Sequence, residues 1–265
     1  MARRMILTAL AGIPTVCPGD DLAALIGAGL RRTELVAELG DVLVLAQKIV
    51  SKAEGRRVRL ADVVPSARAV ALAEQAQKDA RVVELILRES VQVLRCRPGV
   101  IIVEHRSGLV MANAGIDASN VDASNVDDAD VDDADGDESV LLLPLDSDRS
   151  AAGLREKLRR SLGCDIGVVI NDSFGRAWRN GTIGTAIGLA GLPGLWDMRG
   201  LPDRRGRLLR STEVGVADEL AAAASLVMGQ GDEGLPVVHV RGFPLALREG
   251  SVRELMRSRD IDLFR

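Results

Sequence analysis

Two acidic residues follow predicted strands in a pattern that would suit a divalent cation. Asp172 and Ser173 belong to a polar segment that starts at Asn171, directly after Gly167–Ile170, an apolar run that predicts a buried strand. Asp117 follows another predicted strand, two residues after Gly115, which allows an unusual backbone turn. An acid at the end of a buried strand, followed by a hydroxyl, is how many nucleotide enzymes hold a hard divalent cation. Either aspartate could instead cap a helix or close a turn, and that simpler interpretation stays open.

A glycine-rich segment could bring backbone amides close to phosphate oxygens. Gly229–Gly234 lies between a predicted Ala-rich helix, Val214–Met228, and a predicted strand, Pro236–Val240. The same run could also be a helix C-cap followed by a turn. The chain contains no G-x-x-x-x-G-K-[ST] pattern, and Lys52 could supply a point charge to phosphate. The residues alone therefore indicate a metal–phosphate site assembled from separated segments.

The composition excludes several classes of protein. The 265 residues suit one large domain or two small lobes, and 47% hydrophobic residues exclude a disordered chain. Three Phe, two Trp and no Tyr are too few for the stacking platforms of a single-strand nucleic-acid binder. The three cysteines are far apart, and there are two histidines, so we expect neither a disulfide scaffold nor a His-based metal site.

No apolar run approaches the roughly 20 residues of a membrane span. The apolar run at the N-terminus is also interrupted early, at Gly12 and Pro14, which is too soon for a signal peptide. We therefore expect a cytoplasmic protein with no membrane partner.

The acidic residues are concentrated in one segment. Residues 122–138 contain nine acids and no Lys or Arg, and they begin with a copy of the preceding DASNV sequence, 117–121. We predict a mobile, low-complexity surface loop here. An EF-hand is excluded, because Val131 and Leu142 would occupy its first and twelfth ligand positions. Removing these nine from the 38 acidic residues leaves 29 against 34 basic ones, a balance that suits an anionic ligand.

Apolar runs and helical periodicity predict an α+β fold with mixed or antiparallel sheets. The other predicted strands are Met5–Leu10, Asp41–Ala46, Val91–Arg95, Val100–Glu104, Leu109–Met111 and Val140–Pro144. The other predicted helices are one that starts near Asp20, then Pro65–Asp79, Arg81–Glu89 and Ser150–Leu162. The glycines at 181, 184, 188 and 191 are interpreted as sites of close backbone packing.

Seven segments, in order along almost the whole chain, resemble the coenzyme F-420:L-glutamate ligase family, the γ-glutamyl ligases of the deazaflavin cofactor. The most specific are NAGIDASN at 113–120 and DSFGR at 172–176. The others are GIPTVCPGDDLAALI (12–26), GDVLVLAQKIVSKAEGR (40–56), LLLPLDSDRSA (141–151), TEVGVADELAAAASLVMGQ (212–230) and PVVHVRG (236–242).

The resemblance implies an enzyme that uses GTP and Mg²⁺ or Mn²⁺, with K⁺ as a candidate further ion. It would join L-glutamate to the phospholactyl carboxylate of F-420-0 through an acyl phosphate, and then add further γ-linked glutamates. It also implies a homodimer of two-lobed protomers. The lobes would be residues 1–80 with 195–265, and residues 81–194.

Site residues follow from the same resemblance. It places metal ligands at Asp117, Asp172, Ser173 and Gln230, and catalytic roles at Asp117, Asp172 and Lys52. It places nucleotide contacts at Ile13, Pro14, Thr15, Val16, Gln47, Lys48, Lys52, Asn120, Met228, Gly229, Gly231, Asp232, Glu233, Gly234 and Leu235.

One pair of residues and one single residue depart from the family pattern. Gln47 and Lys48 stand where a pair containing Ser or Thr is common. Gln230 stands where some members have a Glu that binds a metal, so a second ion would bind more weakly. The duplicated Asp122–Asn125 could also compete with Asp117–Asn120 as the site, and the first copy is preferred because it directly follows NAGI.

Some actinobacterial relatives carry a further flavin-dependent reductase domain. The sequence ends near the place where that domain would begin, so we expect no flavin. Two other functions stay open. One is a metal-dependent nucleotide phosphohydrolase on the same scaffold, and the other is a non-catalytic nucleotide-binding protein.

Overall fold

The computed structural model describes residues 3–117 and 138–263, which form an α+β fold. The helices are α1 Leu22–Arg32, α2 Gln47–Ala53, α3 Ala67–Ala76, α4 Ala80–Arg88, α5 Ser147–Leu162 and α6 Val216–Met228. The strands are β1 Ile6–Ala9, β2 Val42–Ala46, β3 Arg57–Arg59, β4 Ser90–Arg97, β5 Val100–His105, β6 Val110–Ala112, β7 Ser139–Leu141, β8 Gly167–Arg176, β9 Arg179–Ala190, β10 Trp196–Asp197, β11 Glu213–Val214 and β12 Val237–Arg241.

The largest sheet has five strands in the order β1-β12-β2-β8-β9. Only the β2–β8 pair of this sheet is parallel, with Ala46 opposite Asn171. The apolar run of β2 is buried on both faces. Leu43 and Leu45 belong to the core that includes α1 and α5, whereas Val42 and Val44 belong to the core that includes α6. The sheet is therefore a central layer between two layers of helices.

The other sheets are smaller. β4, β5 and β6 form the predicted antiparallel meander, and the core beneath it also contains residues of α3 and α4. β3 pairs with β7, and β10 pairs with β11. The mixture of one parallel pair with antiparallel sheets confirms the predicted fold class.

The five-stranded sheet does not follow the predicted boundary between lobes. That boundary groups residues 81–194, but β8 and β9 hydrogen-bond in the same sheet as β1, β2 and β12. The parallel β2–β8 pair needs a long crossover, and this crossover contains the whole meander. The five-stranded sheet therefore joins strands from both predicted lobes, and the two-lobed division stays a prediction.

β8 is longer than the predicted strand. It continues from Ile170 to Arg176, so Asp172 and Ser173 lie inside a strand and not in a loop after it. Its partner β9 contains most of the glycine-rich stretch, for which no strand was predicted. A Cβ at Gly184 would lie 2.5 Å from the Ala221 carbonyl oxygen of α6. This contact confirms close backbone packing at Gly184, and Gly188 lies equally close to the Ser147 backbone. Gly191 instead lies against the Arg155 side chain, and Gly181 has open space around it.

Two further findings concern the predicted surroundings of the protein. Among the helices in the described ranges, none has the length and hydropathy needed to cross a bilayer. The predicted mobile segment 122–138 lies outside the described residues except for Glu138, so that prediction is not tested.

Candidate active site

The site lies where β2 ends and β8 continues. β2 stops at Ala46 and α2 begins at the next residue, whereas β8 runs on through Asp172. The carboxyl ends of neighbouring parallel strands are a common location for ligands, because the chain turns away there and leaves a crevice. Lys48 in the first turn of α2 and Asp172 on β8 therefore border the same edge.

Asp117 is brought to this edge by an unusual turn. Asn113, Ala114 and Gly115 form a short 3-10 helix in which all three residues have positive φ, between 51° and 67°. A Cβ at Gly115 would lie 2.8 Å from a methyl carbon of Leu143, so only glycine fits. The backbone of Asp117 then exchanges two hydrogen bonds with Leu141, of 3.0 and 2.8 Å, which fixes its position.

Asp117 forms an ion pair with Lys48. Lys48 Nζ lies 2.8 Å from Asp117 Oδ2, and both side chains are partly exposed. Lys52 is one turn further along α2 and half-buried. Burial lowers the pKa of Lys52, and the positive charge of Lys48 lowers it further. The site thus combines a carboxylate with two lysines on one helix.

Asp172 is the second carboxylate. Burial raises its pKa to about 6, and the negative charge of Asp117 also raises it, whereas Lys48 opposes the shift. The amide of Ser173 donates a hydrogen bond of 2.8 Å to Asp172 Oδ1. Because the ionised form of Asp172 is poorly compensated by the protein, a cation placed between the two aspartates would stabilise it.

The glycine-rich segment after α6 contacts β8 directly. Ser173 Oγ donates a hydrogen bond of 2.9 Å to Gln230 Oε1. The amide of Gly231 donates a 2.8 Å hydrogen bond to Glu233 Oε2, which folds the segment on itself. Gly229 has a φ of 78°, and a Cβ there would collide with the Glu233 carboxylate. The sequence therefore folds this segment tightly beside the strand that carries Asp172.

The segment Ile13–Val16 leads into residues that contact the end of α2. Val16 is buried, whereas Pro14 and Thr15 are exposed. The amide of Gly19 donates a 2.9 Å hydrogen bond to the Ala53 carbonyl at the end of α2. This bond holds the segment near Lys52, and the neighbouring Cys17 raises the pKa of Lys52, against the effect of burial.

A family model for the F420-0:Gamma-glutamyl ligase family matches residues 12–242. The chain belongs to this family. Relatives named coenzyme F420:L-glutamate ligase match over nearly their full lengths. The Methanothermobacter thermautotrophicus protein is 44% identical, over 98% of both chains. The Methanopyrus kandleri protein is 46% identical, over 94% of this chain and 93% of its own. The Halobacterium salinarum protein is 40% identical, over 97% of this chain and 94% of its own.

The structure places the residues expected from the γ-glutamyl ligase family in different settings. It brings Asp117, Lys48 and Asp172 to one edge and joins Ser173 to Gln230. Gln47 is only 2% exposed, and its Oε1 accepts a 2.8 Å hydrogen bond from Ser51. A direct contact between Gln47 and a nucleotide would thus require its side chain to turn outward. Among the other expected nucleotide contacts, Met228 is the last residue of α6, and Asp232, Gly234 and Leu235 lie in the glycine-rich segment after it. Asn120 lies outside the described residues.

The metal ligands expected from the family resemblance do not form a dense acidic cluster. Within residues 3–117 and 138–263, no group of three or more His, Cys, Asp or Glu side chains could hold a metal ion. A cation would therefore depend on the two aspartates, together with the Ser173 hydroxyl and the Gln230 amide oxygen. These are hard oxygen donors, which suit Mg²⁺ and Mn²⁺.

Sequence reasoning missed Asn171. This residue ends the part of β8 that pairs with β2, and it is 5% exposed. Its Nδ2 donates a 3.0 Å hydrogen bond to Ser225 Oγ of α6. The available signal was an amide at the end of an apolar run, where burial requires a hydrogen-bond partner.

Proposed function

We propose that this protein is a GTP- and divalent-metal-dependent ligase. It joins L-glutamate to the phospholactyl carboxylate of F-420-0 and then adds further γ-linked glutamates. Membership of the γ-glutamyl ligase family supports the substrates. The observation that carries the proposal is the meeting of Asp117, Asp172 and Lys48 at one edge of the sheet, beside the glycine-rich segment.

The donor set fits a hard divalent cation. Asp117 and Asp172 would hold Mg²⁺ or Mn²⁺, with Ser173 and Gln230 as weaker oxygen donors. When bound, such an ion neutralises charge on the phosphates of GTP. The raised pKa of Asp172, caused mainly by burial, supports this assignment, because Lys48 only partly offsets that burial and a bound cation would stabilise the ionised form further.

The lysines and the glycine-rich segment fit the phosphates of GTP. Lys48 and Lys52 lie on the same helix, one turn apart, and either ammonium can donate to phosphate oxygens. The Gly231 amide donates to the Glu233 carboxylate, so an anionic oxygen already occupies this position. A phosphate oxygen would take the place of that carboxylate at the amide. The resemblance further supports contacts from Ile13–Val16, a homodimer, a bound K⁺ ion and a cytoplasmic location as parts of the same proposal.

The chemistry needs positioning and charge stabilisation more than a protein nucleophile. The carboxylate of F-420-0 attacks the γ-phosphorus of GTP, the bond to the β–γ bridging oxygen breaks, and GDP leaves. The amine of glutamate then attacks the acyl phosphate carbonyl, inorganic phosphate leaves, and the amine loses a proton to form the amide. Lys48 and Lys52 would stabilise the negative charge on the transferred phosphoryl group.

Mass spectrometry tests this function. F-420-0 is incubated with the protein, L-glutamate, GTP and Mn²⁺, and the Asp172→Asn variant serves as control. We expect products heavier by whole glutamyl units, which are absent without GTP and absent with the variant. GTP hydrolysis without glutamylated product would favour the phosphohydrolase instead. No turnover, with GTP still bound, would favour a nucleotide-binding protein.

A further inference from the structure

Three successive residues of β8 connect the two halves of the site. Side chains alternate between the faces of a strand, so Asn171 and Ser173 share one face while Asp172 faces the other way. Asn171 contacts α6, and Ser173 contacts Gln230 just beyond the end of α6. The expected metal ligand Asp172 thus lies between two residues that hold α6 and the glycine-rich segment after it.

Asn171 holds the last turn of α6. Its Nδ2 lies 3.0 Å from Ser225 Oγ and 3.6 Å from Met228 Sδ. Met228 is the last residue of α6, and the glycine-rich segment starts at the next residue. The amide of Asn171 therefore fixes the point at which that segment leaves the helix.

The close approach of α6 to the sheet makes this contact possible. Gly184 on β9 would place a Cβ 2.5 Å from the Ala221 carbonyl oxygen and closer still to Ser225 Oγ. With glycine there, Ser225 can reach across to Asn171 while remaining buried. The hydrogen bond is thus a defined link between strand and helix at the end of the sheet that carries the site.

The amide side chain of Asn171 lowers stability at this buried position. Asn171 Oδ1 is buried and has no hydrogen-bond partner within the described ranges. Leaving such a group unsatisfied costs about 1–3 kcal/mol, whereas a leucine of similar size would pack against α6 without that cost. Stability alone would not favour asparagine here, so the directed bond to Ser225 and Met228 points to a positioning role.

We propose that Asn171 is a positioning residue that sets the glycine-rich segment 229–235 at a fixed distance from Asp172. Phosphates bound by the segment would then meet the cation bound by the aspartates. This inference rests on the proposed function, since it assigns the segment to GTP. Asn171 itself touches neither the nucleotide nor the reacting atoms.

Two variants remove the link from opposite ends. Asn171→Leu keeps the approximate volume and removes the amide, and Ser225→Ala removes its partner in an Ala-rich helix. Because Ser225→Ala is a small change in a helix-favouring context, it keeps the test open if Asn171→Leu does not fold. Ser161→Ala is the matched control, since Ser161 Oγ makes one hydrogen bond, to Leu158, within α5.

Calorimetry and hydrogen exchange give the readouts. For each variant at the link, we expect the Kd for GTP in the presence of Mn²⁺ to rise about tenfold, equivalent to about 1.4 kcal/mol. The Kd for Mn²⁺ alone should change less than about twofold, because the aspartates are untouched. The double variant should bind GTP no more weakly than the weaker single variant, since both remove one interaction. Amides of residues 229–235 should exchange faster, while those of β2 should not.

The outcomes separate the two proposals. Unchanged GTP affinity in both single variants, or additive losses in the double variant, would overturn the positioning role while the ligase proposal stands. A loss of Mn²⁺ affinity equal to the loss of GTP affinity would overturn it as well, since it would indicate general damage to the site. If the wild-type protein binds no GTP, the proposed function fails and this inference fails with it.

Discussion

Lys48 Nζ lies 2.8 Å from Asp117 Oδ2 and so joins the start of α2 to the turn that follows β6. Both side chains are partly exposed, and such pairs add only about 0–1 kcal/mol to stability. The ion pair therefore adds little to stability, and its main effect is on the charge of the site. It places a positive charge against a carboxylate that the family resemblance assigns to a metal.

Replacing Lys48 by methionine should change metal and nucleotide binding in opposite directions. The Lys48→Met variant keeps most of the side-chain length but removes the positive charge that lies closest to Asp117 in the ion pair. We expect Mn²⁺ to bind several-fold more tightly in the absence of nucleotide, because a competing cation at about 4 Å or less is worth on the order of 1–4 kcal/mol near a surface. GTP should bind more weakly, since a phosphate donor is lost. Titration calorimetry measures both constants.

Lys157→Met provides the control for that experiment. Lys157 makes a more exposed ion pair with Asp21, at 3.3 Å, and neither residue is expected to bind the metal or the nucleotide. Its replacement should leave both affinities unchanged. If Lys48→Met weakens Mn²⁺ binding, Lys48 supports the geometry of Asp117 and does not compete with the cation.

Replacing Asp172 by asparagine should abolish metal-dependent turnover without unfolding the protein. An amide oxygen can still accept the hydrogen bond from the Ser173 amide, so the local fold has no reason to change. Loss of the negative charge should weaken Mn²⁺ binding by at least about a hundredfold, equivalent to about 2.7 kcal/mol. Circular dichroism checks that the variant is folded, and Mn²⁺ titration measures the loss of metal affinity. If the variant turned over substrate at the wild-type rate, Asp172 would have no role in the mechanism.

The same substitution should raise stability at neutral pH when no metal is present. The pKa of Asp172 is raised from 3.8 to about 6, mainly by burial, so between these values the folded state binds more protons than the unfolded state. Stability contributed by this group therefore falls as pH rises from 4 to 6 and then stays low. At pH 7.5, the free energy of unfolding of Asp172→Asn should exceed that of the wild type by about 1–3 kcal/mol. We expect the lower end of this range, because the Asp172 side chain keeps some access to solvent.

Urea unfolding in a chelating buffer measures this difference. The free energy of unfolding is compared between variant and wild type at several pH values from 4 to 7.5. The difference between the two proteins isolates Asp172 from other titrating groups. An advantage for Asp172→Asn that is equally large at pH 4 would contradict the assigned pKa.

Apolar runs in the sequence predicted most of the fold, and the exceptions have a physical cause. β2 and the first half of β8 are continuous buried runs, and α6 has an apolar, Ala-rich sequence, so each was predicted within a few residues. β9 was missed because glycine disfavours strands when judged residue by residue. Gly184 and Gly188 of β9 are explained by the helices that pack on them, a tertiary contact that local propensity cannot show.

In the candidate site too, some residues could be predicted from the sequence and others could not. Asp117 and Asp172 could be selected from sequence because each follows a strand and has suitable chemistry. The ion pair of Lys48 with Asp117 could not be predicted, since it depends on a turn of three residues with positive φ. Asn171 was missed because only the packing of α6 reveals its partner.

Replacing Lys52 by alanine should weaken GTP binding more than folding. A lysine bonded to phosphate contributes about 1.5–3 kcal/mol, so we expect a loss of roughly tenfold or more in GTP affinity. Lys52→Met is the matched variant, because it keeps the half-buried apolar stem and loses only the charge. Both variants should bind GTP equally poorly, and Lys52→Ala should be slightly less stable. Unchanged nucleotide affinity would show that Lys52 has no role in binding phosphate.

Replacing Gln230 by glutamate should strengthen metal binding. Gln230 offers a neutral oxygen that already accepts a hydrogen bond from Ser173, whereas a carboxylate would add a full charge next to the same hydroxyl. We expect Gln230→Glu to bind Mn²⁺ several-fold more tightly, or to bind an additional ion, in calorimetric titrations. Gln230→Ala should do neither. Equal affinities in all three proteins would place Gln230 outside the metal site.

The duplicated DASN sequence allows a direct test of which copy forms the site. Asp117 is fixed by two backbone hydrogen bonds to Leu141 and by the ion pair with Lys48, so the first copy has a defined place beside Asp172. Asp117→Asn should therefore abolish Mn²⁺-dependent turnover, whereas Asp122→Asn should retain it. The two variants change the same residue type in the same local sequence, so each controls for the other. The opposite result, in which Asp122→Asn is inactive and Asp117→Asn is active, would assign the site to the second copy. The ion pair at Asp117 would then have no catalytic consequence.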